Sequence, residues 1–354
     1  MSVGPLSHER ELSQIREAAG DVVLRVDDLS VRFPSDEGPV NAVQNLTYEA
    51  RLGRTLAIVG ESGSGKSVSS MTLLGLHNPK RSTITGSINL DGTELVGASE
   101  DTMRKLRSST VAMVFQDPQS SLHPFYKVGR QIAEAFRAHH SVSRSVADKR
   151  AVEMLDRVGI PNPARRAKQY PHEFSGGMRQ RAMIALGLVN DPKLLVADEP
   201  TTALDVTVQA QILDLISDLQ KEFGSAVILI THDLAVVAEV ADDLLVMYAG
   251  RAVERGPTRD VLSLPNHPYT LGLLESIPST SEEVDELKAI RGTPPSLVHL
   301  PSGCSFHPRC NFRHLVSGDL CISTLPELRM LPNGRQTRCH LPDPEQTLAE
   351  GSPS

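Results

Sequence analysis

Residues 55–67 read TLAIVGESGSGKS, and this stretch decides the fold class that the sequence predicts. Its first five residues are mostly apolar, which favours a buried strand, and the strand runs directly into a glycine-rich loop. Residues 67–76 continue with helical character. Glycines in such a loop let backbone N–H groups close around phosphate oxygens at the start of a helix, as in a P-loop. The stretch therefore predicts a phosphate-binding loop between a strand and a helix.

The loop offers two side chains with suitable chemistry for a nucleotide. We expect Lys66 to hold the β and γ phosphates, and the hydroxyl of Ser67 to bind Mg²⁺, which prefers hard oxygen ligands. A chance glycine-rich turn is the alternative interpretation, but the predicted strand and helix provide the context that a P-loop requires. The other residues expected to surround the phosphates are Gly60, Ser62, Gly63 and Gly65.

The rest of the pattern predicts an α/β protein. Residues 21–48 alternate between apolar and polar, which predicts a small antiparallel strand layer. Residues 118–170 show helical spacing, which predicts an inserted helical subdomain. Strands alternate with helices from residue 194 onward, as in a parallel α/β core. These segments are the strands Leu194–Ala197, Ala226–Ile230 and Leu244–Tyr248 and the helices at Val206–Phe223 and from Leu234.

Two further elements have chemistry that suits a nucleotide. The strand that ends at Ala197 is followed by Asp198, which can bind Mg²⁺ through water, and by Glu199, which can polarise an attacking water. Carboxylates at strand ends are also commonly solvated caps. Ser175 and the two glycines after it precede a predicted helix and so offer a second anion-binding N-terminus. Ser175 could equally act only as the cap of that helix.

In this order, the P-loop, Gln116 after a strand-like segment, the Ser-Gly-Gly element, the two acids, Thr231 and His232 resemble the ABC ATPase family. The resemblance covers roughly residues 21–256, and several motifs that match together are more specific than any one of them. It implies a P-loop core of the RecA-like type with an antiparallel β layer and a helical subdomain over about residues 118–182.

The resemblance also implies roles for individual side chains. Gln116 would contact Mg²⁺ and report the nucleotide state to a membrane domain, and Asp198 would bind the same ion. Glu199 would be the catalytic base, and His232 would contact the γ-phosphate. Phe33 sits where an aromatic residue stacks on adenine in the family.

The family site is shared between two subunits in a head-to-tail dimer. The P-loop and Glu199 of one subunit would face Ser175 and Gly177 of the other, so a monomer should hydrolyse ATP poorly. Leu204 and Asp205 look like the D-loop, which crosses between the subunits. The resemblance therefore implies that this chain works as part of a dimer.

The four cysteines lie close together near the end of the sequence, separated by five, ten and seventeen residues. This clustering suggests metal ligation, because a reducing cytosol disfavours structural disulfides. The spacing lacks the C-x₂-C pattern typical of structural zinc and does not by itself identify a metal. The four residues are Cys304, Cys310, Cys321 and Cys339.

Residues 267–270 (HPYT), 291–295 (RGTPP) and 303–310 resemble the C-terminal extension of dipeptide and oligopeptide importer ATPases. The four cysteines of that extension are associated with a [4Fe-4S] cluster, and four thiolates are the ligands such a cluster requires. The resemblance favours the cluster over zinc, and reduced, unligated thiols are the remaining alternative. We expect a stabilising rather than a redox role, because an importer needs no electron transfer. Zn²⁺ stays open, because three histidines that could replace a cysteine lie nearby: His307, His314 and His340.

Composition limits the partners and the location. A net charge of −7 provides no basic field to hold a phosphate backbone, so nucleic acid is not an expected partner. No apolar run approaches the roughly 18 residues that span a bilayer, and residues 1–20 lack the apolar stretch of a signal peptide. The resemblance implies a place at the cytoplasmic face of the cell membrane, with a homologous ATPase subunit, two transmembrane permease subunits and an extracytoplasmic solute-binding protein.

The predicted function is to energise an importer by ATP hydrolysis, with dipeptides or oligopeptides as cargo. Nickel or another small solute is the alternative cargo. A soluble ABC ATPase outside transport is the alternative class, disfavoured by a single P-loop and the absence of sustained heptads. The predicted domains are an N-terminal extension (1–20), a nucleotide-binding domain (21–256), a C-terminal extension (257–342) and a disordered tail (343–354).

Overall fold

The computed structural model describes residues 21–117, 121–202, 205–276 and 290–351. The strands in these residues are β1 (Val22–Phe33), β2 (Val40–Arg51), β3 (Thr55–Val59), β4 (Thr83–Leu90), β5 (Thr93–Glu94), β6 (Val111–Val114), β7 (Leu194–Asp198), β8 (Ala226–Ile230), β9 (Asp243–Tyr248), β10 (Arg251–Pro257), β11 (Arg329–Met330) and β12 (Gln336–Thr337). The predicted extension 1–20 and Leu204 lie outside the described residues.

The helices of the same residues follow the predicted pattern closely in the nucleotide-binding region. They are α1 (Lys66–Leu73), α2 (Glu100–Leu106), α3 (Val128–Arg137), α4 (Arg144–Arg157), α5 (Pro163–Arg166), α6 (Gly176–Leu188), α7 (Val206–Phe223), α8 (Leu234–Val240), α9 (Thr258–Ser263), α10 (Pro268–Glu275), α11 (Leu320–Ser323) and α12 (Pro344–Ala349). None of these described helices is both long enough and apolar enough to cross a bilayer.

The chain folds into two compact units. The first comprises the described residues of Met1–Arg25, Tyr48–Thr55 and Asn89–Ile228. The second comprises the described residues of Val26–Thr47, Leu56–Ile88 and Leu229–Ser354. This division differs from the predicted boundary after residue 256, because the C-terminal segment belongs to the same unit as the phosphate-binding loop.

The second unit is built on a sheet in which β11, β12, β10, β9 and β3 are neighbours in that order. β3 and β9 are parallel, with Leu56 opposite Asp243 and Val59 opposite Val246. β10 is antiparallel to β9 and also to β12, where Glu254 lies opposite Thr337. The C-terminal segment therefore extends the sheet that carries the loop, and the predicted irregular Cys-rich module is not confirmed.

The core of the second unit joins this sheet to the C-terminal segment. All five side chains of β3 are buried, as a strand covered on both faces requires. Val59, Val246 and Tyr248 pack in one apolar cluster with Tyr269 and Phe306, which come from the C-terminal segment. The parts of β2, β1 and β4 that belong to this unit are neighbours in the predicted strand layer.

The first unit contains the predicted helical subdomain and the strand pair β6 and β7. These strands are parallel, with Val111 opposite Leu194, as predicted for the α/β core. α3 packs against α4 and α6, and α4 buries Ala147, Ala151, Met154 and Leu155 on one face, the spacing of an amphipathic helix. The regular elements among its described residues are helices joined by short loops, and the last helix reaches six residues beyond the predicted end at 182.

The predicted disorder of residues 343–354 is wrong for the part that forms α12. Asp343 caps this helix by accepting a hydrogen bond from the backbone N–H of Gln346. Leu348 is 4% exposed and packs against Phe312 and Leu341. A small, polar composition suggested disorder, but the cap, the burial of Leu348 and the hydrogen bonds that Glu345 accepts from Asn333 and Arg335 hold this short helix in place.

Candidate functional site

Residues 60–67, here called the phosphate loop, have a backbone that requires glycine at two positions. Gly60 has φ 151° and Gly65 has φ 98°, backbone angles that residues with a side chain rarely adopt. A Cβ on Gly60 would lie 2.2 Å from the carbonyl oxygen of Met247, and one on Gly65 would lie 2.2 Å from that of Ala42. The loop can therefore pack against neighbouring backbone only because both positions lack side chains.

Lys66 is the first residue of α1, and its side chain turns back onto the phosphate loop. It is 6% exposed, and its Nζ donates to the carbonyl oxygens of Gly60 at 2.7 Å and Glu61 at 3.1 Å. Ser67 follows in the first turn of the helix and is half-buried, whereas Ser62 is exposed. The ammonium group thus lies beside the loop that is expected to surround phosphate oxygens.

Phe33 and His232 also belong to the second unit. Phe33 ends β1 half-buried, and its ring meets that of His77 edge-on, with 5.3 Å between the ring centroids. Nε2 of His77 lies 3.0 Å from both the carbonyl oxygen of Val68 and the hydroxyl of Thr72, so the histidine ties this aromatic pair to α1. His232 follows β8 and is exposed.

In the first unit, β7 ends at Asp198, the first of the two predicted acids, and Glu199 follows it. Asp198 is 5% exposed, and Glu199 has φ 46°, in the left-handed region that is strained for a residue with a side chain. Oε2 of Glu199 accepts hydrogen bonds from Nε2 of Gln116 at 2.8 Å and from the hydroxyl of Thr202 at 2.9 Å. The structure therefore brings Gln116 and Glu199 together, although 83 positions separate them in sequence.

Two side chains beside Glu199 were missed by the sequence reasoning. Thr202 lies three positions after Glu199, and its hydroxyl was not distinguished from an ordinary surface threonine. Gln180 is 2% exposed, and its Nε2 donates to the carbonyl oxygen of Pro200, the residue after Glu199. A buried glutamine in a helix has no local sequence signal, because only the tertiary fold reveals which carbonyl it meets.

The Ser-Gly-Gly element begins α6 and also lies in the first unit. The hydroxyl of Ser175 accepts from the backbone N–H of Met178 at 3.3 Å, so this serine caps the helix. A Cβ on Gly177 would lie 3.2 Å from Cγ1 of Val208, whereas Gly176 faces open space. Asp205 caps α7 by accepting from the backbone N–H of Val208 at 3.0 Å. Each cap satisfies one N–H group, and at α6, where the cap is an uncharged serine, the other N-terminal N–H groups could face an anion.

Residues 304–339, here called the cysteine segment, bring two of the four cysteines together through the backbone. The backbone N–H of Cys304 donates to the carbonyl oxygen of Cys321 at 2.9 Å. Gly303 has φ 65°, and a Cβ there would lie 2.5 Å from that same carbonyl oxygen. This close approach depends on glycine immediately before the first cysteine.

The thiol of Cys321 is buried and the other three thiols are partly buried. Burial raises the pKa of Cys304 to about 11 and the pKa of both Cys310 and Cys339 to about 12, and it also raises the pKa of Cys321. Neighbouring cysteines contribute to the higher pKa of Cys304, Cys310 and Cys339, because a second thiolate nearby disfavours the charge. Without a cation, these groups are therefore neutral thiols near pH 7.

The metal centre predicted from these cysteines is not confirmed. All four are free of disulfides and lie in the described residues. Within that part of the chain, no group of three or more His, Cys, Asp or Glu side chains has the arrangement of a metal site. Four cysteines are suitable donors for a metal that binds thiolates, but their side chains are not arranged as a metal site.

Solved structures with similar folds are ABC ATPases. The chain matches the dimeric, ADP- and phosphate-bound ATP-binding cassette MJ0796 with a TM-score of 0.60 and 26% identity, covering 67% of this chain and 99% of that one. It matches cbiO1 from Clostridium perfringens, part of the ABC transporter complex cbiONQ, with a TM-score of 0.59 and 30% identity, covering 69% and 91%. These matches confirm the predicted α/β P-loop fold with an antiparallel β subdomain.

Sequence comparisons agree with this fold and extend it. A profile described as "ABC transporter" matches residues 43–202, and one described as "Oligopeptide/dipeptide transporter, C-terminal region" matches residues 253–315. Oligopeptide transport ATP-binding protein OppD of Escherichia coli is 47% identical over 328 residues, 93% of this chain and 96% of that protein. Dipeptide transport ATP-binding protein DppD of Escherichia coli is 45% identical over 320 residues, 90% and 97%. The chain therefore belongs to the ATP-binding proteins of the oligopeptide/dipeptide ABC transporter family.

Proposed function

We propose that this chain hydrolyses ATP to energise the import of dipeptides or oligopeptides across the cell membrane. The cargo follows from the relatives, since OppD and DppD are named for oligopeptide and dipeptide transport and are similar along nearly the whole chain. The chain itself supplies energy and docking, so its residues do not select the solute.

The observation that carries hydrolysis is the Gln116–Glu199 hydrogen bond at the end of β7. Hydrolysis needs in-line attack of water on the γ-phosphate, with catalysis supplied by positioning and charge neutralisation. Glu199 is a carboxylate held by two donors, which suits a base that must orient a water. Because Gln116 donates through Nε2, its amide oxygen is the atom with metal-ligand chemistry.

The phosphate loop is proposed to bind the phosphates of ATP. Its glycine backbone leaves N–H groups for the phosphates, and Lys66 adds a positive charge beside them. Mg²⁺ would be held by oxygen donors from Ser67, Gln116 and Asp198, and it would neutralise charge on the phosphates. His232 is assigned to the γ-phosphate and Phe33 to the adenine ring, both from the family resemblance.

A complete site is proposed to need a second ATPase subunit. Ser175 and Gly177 begin a capped helix, and such an N-terminus can bind the γ-phosphate of a nucleotide held by the partner. Asp205, at the start of α7, is assigned to the contact between subunits. The working assembly would join this chain, a homologous ATPase, two permease subunits at the cytoplasmic face and an extracytoplasmic solute-binding protein.

The cysteine segment is proposed to hold a [4Fe-4S] cluster, with Zn²⁺ as the alternative. Support comes from four partly or fully buried thiols, three of which have a pKa raised in part by neighbouring cysteines, and four thiolates match the donor set of such a cluster. The cluster would act as a structural staple for a segment that contains little regular structure. Uptake of any metal would displace thiol protons, so it should be favoured by higher pH.

The function is tested by measuring ATP hydrolysis in proteoliposomes. The chain would be purified with its membrane and ATPase partners, and activity would be measured with a binding protein loaded with peptide, loaded with nickel or empty. We expect peptide to stimulate hydrolysis and Glu199→Gln to abolish the stimulation. Stimulation by nickel but not by peptide would reassign the cargo, and hydrolysis independent of membrane subunits would favour a non-transport ATPase.

A further inference from the structure

The second residue of the phosphate loop is held by an ion pair from the cysteine segment. Nη1 of Arg309 lies 2.6 Å from Oε2 of Glu61, and Nη2 lies 2.9 Å from Oε1. Two parallel bonds of this kind fix orientation as well as distance. The side chain of Arg309 is 5% exposed and that of Glu61 is 27% exposed. The pair is therefore more shielded than the surface ion pairs that contribute little.

Further contacts fix the guanidinium group of Arg309 in place. Its Nε donates to the carbonyl oxygen of Arg291 at 2.9 Å, and its Nη1 lies 3.3 Å from the hydroxyl of Tyr248. The hydrogen bonds to Glu61 raise the pKa of Arg309, so its guanidinium group stays protonated. With this many partners, the side chain of Arg309 is held in one conformation, unlike a mobile arginine at the surface.

The backbone of Glu61 is held from the same side. Its N–H donates to the hydroxyl of Tyr269 at 2.8 Å. Tyr269 is fully buried on α10, and its ring packs against Tyr248 and Phe306 with centroid distances of 4.6 and 5.4 Å. Both the main chain and the side chain of Glu61 are thus anchored by residues that follow β10.

The anchored residue, Glu61, is also one of the two residues that hold the side chain of Lys66. The carbonyl oxygens of Gly60 and Glu61 accept the hydrogen bonds of Lys66 Nζ. Gly60 cannot shift freely, because the carbonyl of Met247 occupies the place of its missing Cβ. Gly60 is confined by its neighbours, so loss of the Glu61 anchor would free Glu61 and the hydrogen bond that its carbonyl oxygen accepts from Lys66.

We propose that Arg309 is a positioning residue for nucleotide binding. Through Glu61, it holds the phosphate loop and Lys66 in the conformation that accepts the phosphates of ATP. Arg309 does not itself touch the nucleotide. The inference rests on the proposed function, because it assigns the C-terminal segment a role in the affinity of that same site for ATP.

The test is equilibrium binding of a fluorescent ATP analogue with Mg²⁺ to the full-length chain. Arg309→Met removes the charge but keeps an extended side chain, and Glu61→Gln removes the opposite charge. We expect each to raise Kd about tenfold, a typical effect for a residue that acts through a neighbour. The double variant should lose no more than either single variant, because both break the same pair. Arg309→Lys should be intermediate, since lysine cannot form the bidentate contact.

Arg335→Met is the matched control for a purely structural effect. Arg335 is also a buried arginine of the cysteine segment, with its side chain 3% exposed and its Nη2 2.6 Å from Oε2 of Glu345. Its other contacts include the carbonyl oxygen of Asp260, which lies outside the phosphate loop. This variant should lower Tm without nucleotide and leave Kd for the analogue unchanged.

The outcomes separate the possible explanations. The proposal is supported if Kd rises in Arg309→Met and Glu61→Gln but not in Arg335→Met. It is overturned if Kd is unchanged in the first two variants, or if Kd rises equally in Arg335→Met. If Arg309→Met does not fold, Glu61→Gln decides, because it changes the more exposed partner and keeps its shape. Failure of the wild-type chain to bind the analogue would instead overturn the proposed function and this inference together.

Discussion

The phosphate loop and the cysteine segment belong to the same compact unit but are built in different ways. The loop is one unbroken stretch of eight residues whose chemistry comes mainly from backbone N–H groups and glycine geometry. The cysteine segment spreads its four thiols over 36 positions and depends on side chains brought together by short turns, α11 and the hairpin of β11 and β12.

This difference explains why one region was identified from sequence and the other was not confirmed. A backbone site is encoded by adjacent residues, so its motif and its geometry coincide. A site of dispersed side chains needs every intervening turn to be correct before its donors meet. The two regions are nevertheless linked, because Arg309, which precedes Cys310, binds Glu61 of the loop.

The largest expected effect comes from adding one methyl group to the phosphate loop. Gly60→Ala places a Cβ 2.2 Å from the carbonyl oxygen of Met247 and forces alanine to φ 151°. We expect ATP affinity to fall about 100-fold or more, equivalent to about 3 kcal/mol. Gly53→Ala is the control, because Gly53 has φ 69° but no atom within 4 Å of its added Cβ. Equal ATP affinity in the two variants, measured by equilibrium binding, would contradict a backbone-based site.

The next prediction separates ATP binding by the phosphate loop from ATP hydrolysis by residues of the first unit. Glu199→Gln should lower kcat for ATP hydrolysis by roughly 10²-fold, the lower end of what a general base contributes. Binding of ATP should be retained, because the phosphate loop is unchanged. Thr202→Val removes one hydrogen bond to Glu199 and should lower kcat by a smaller factor. Steady-state hydrolysis and binding measured on the same preparations provide the check, and a matching loss of ATP binding would argue against this division.

A smaller effect is expected in the cysteine segment. Cys310→Ser should remove the visible absorbance of a cluster and lower Tm, by roughly 2–4 °C for each kcal/mol lost. Wild-type protein stripped with a chelator should melt like the variant, and the variant itself should not respond to the chelator. Iron and zinc content, absorbance and melting curves are the measurements. Unchanged metal content and melting would show that the four thiols hold no structural metal.

The smallest effect concerns a buried carboxyl that belongs to neither region. Burial raises the pKa of Glu254 on β10 from 4.5 to about 7, despite the nearby Arg335 and a hydrogen bond from the backbone of Asn266. With the folded-state pKa raised, its contribution to stability is complete below pH 4.5 and is lost as pH rises through about 7.

Glu254→Gln should therefore be more stable than wild type at pH 8, and the difference should shrink towards pH 5. Glutamine cannot ionise, so the variant avoids the cost of burying a charge. The neighbouring His267, whose pKa burial lowers to about 3, contributes equally in both proteins and cancels in the comparison. Melting curves at the two pH values test this, and parallel pH dependence in both proteins would refute it. ATP affinity should not change.

Several elements were predictable from local pattern alone. The helix Val206–Phe223 and the strands Thr55–Val59 and Ala226–Ile230 have the predicted bounds, because apolar runs, Asp205 as a cap and Gly224 as a left-handed stop encode them locally. The pairing of β12 with β10 was not predictable, since a two-residue strand has no recognisable pattern. α12 was missed for a related reason, because its stability comes from burial of Leu348 in a distant cluster.

By itself, the sequence determined the order of the motifs, the phosphate loop with its glycines, and the family to which the chain belongs. These are properties of adjacent residues, where backbone conformation follows from residue type. Only the tertiary structure decided that Gln116 meets Glu199, that Gln180 binds the carbonyl of Pro200 and that Arg309 holds Glu61. Such contacts join positions far apart in sequence, and packing of the whole fold sets their geometry, which no local pattern encodes.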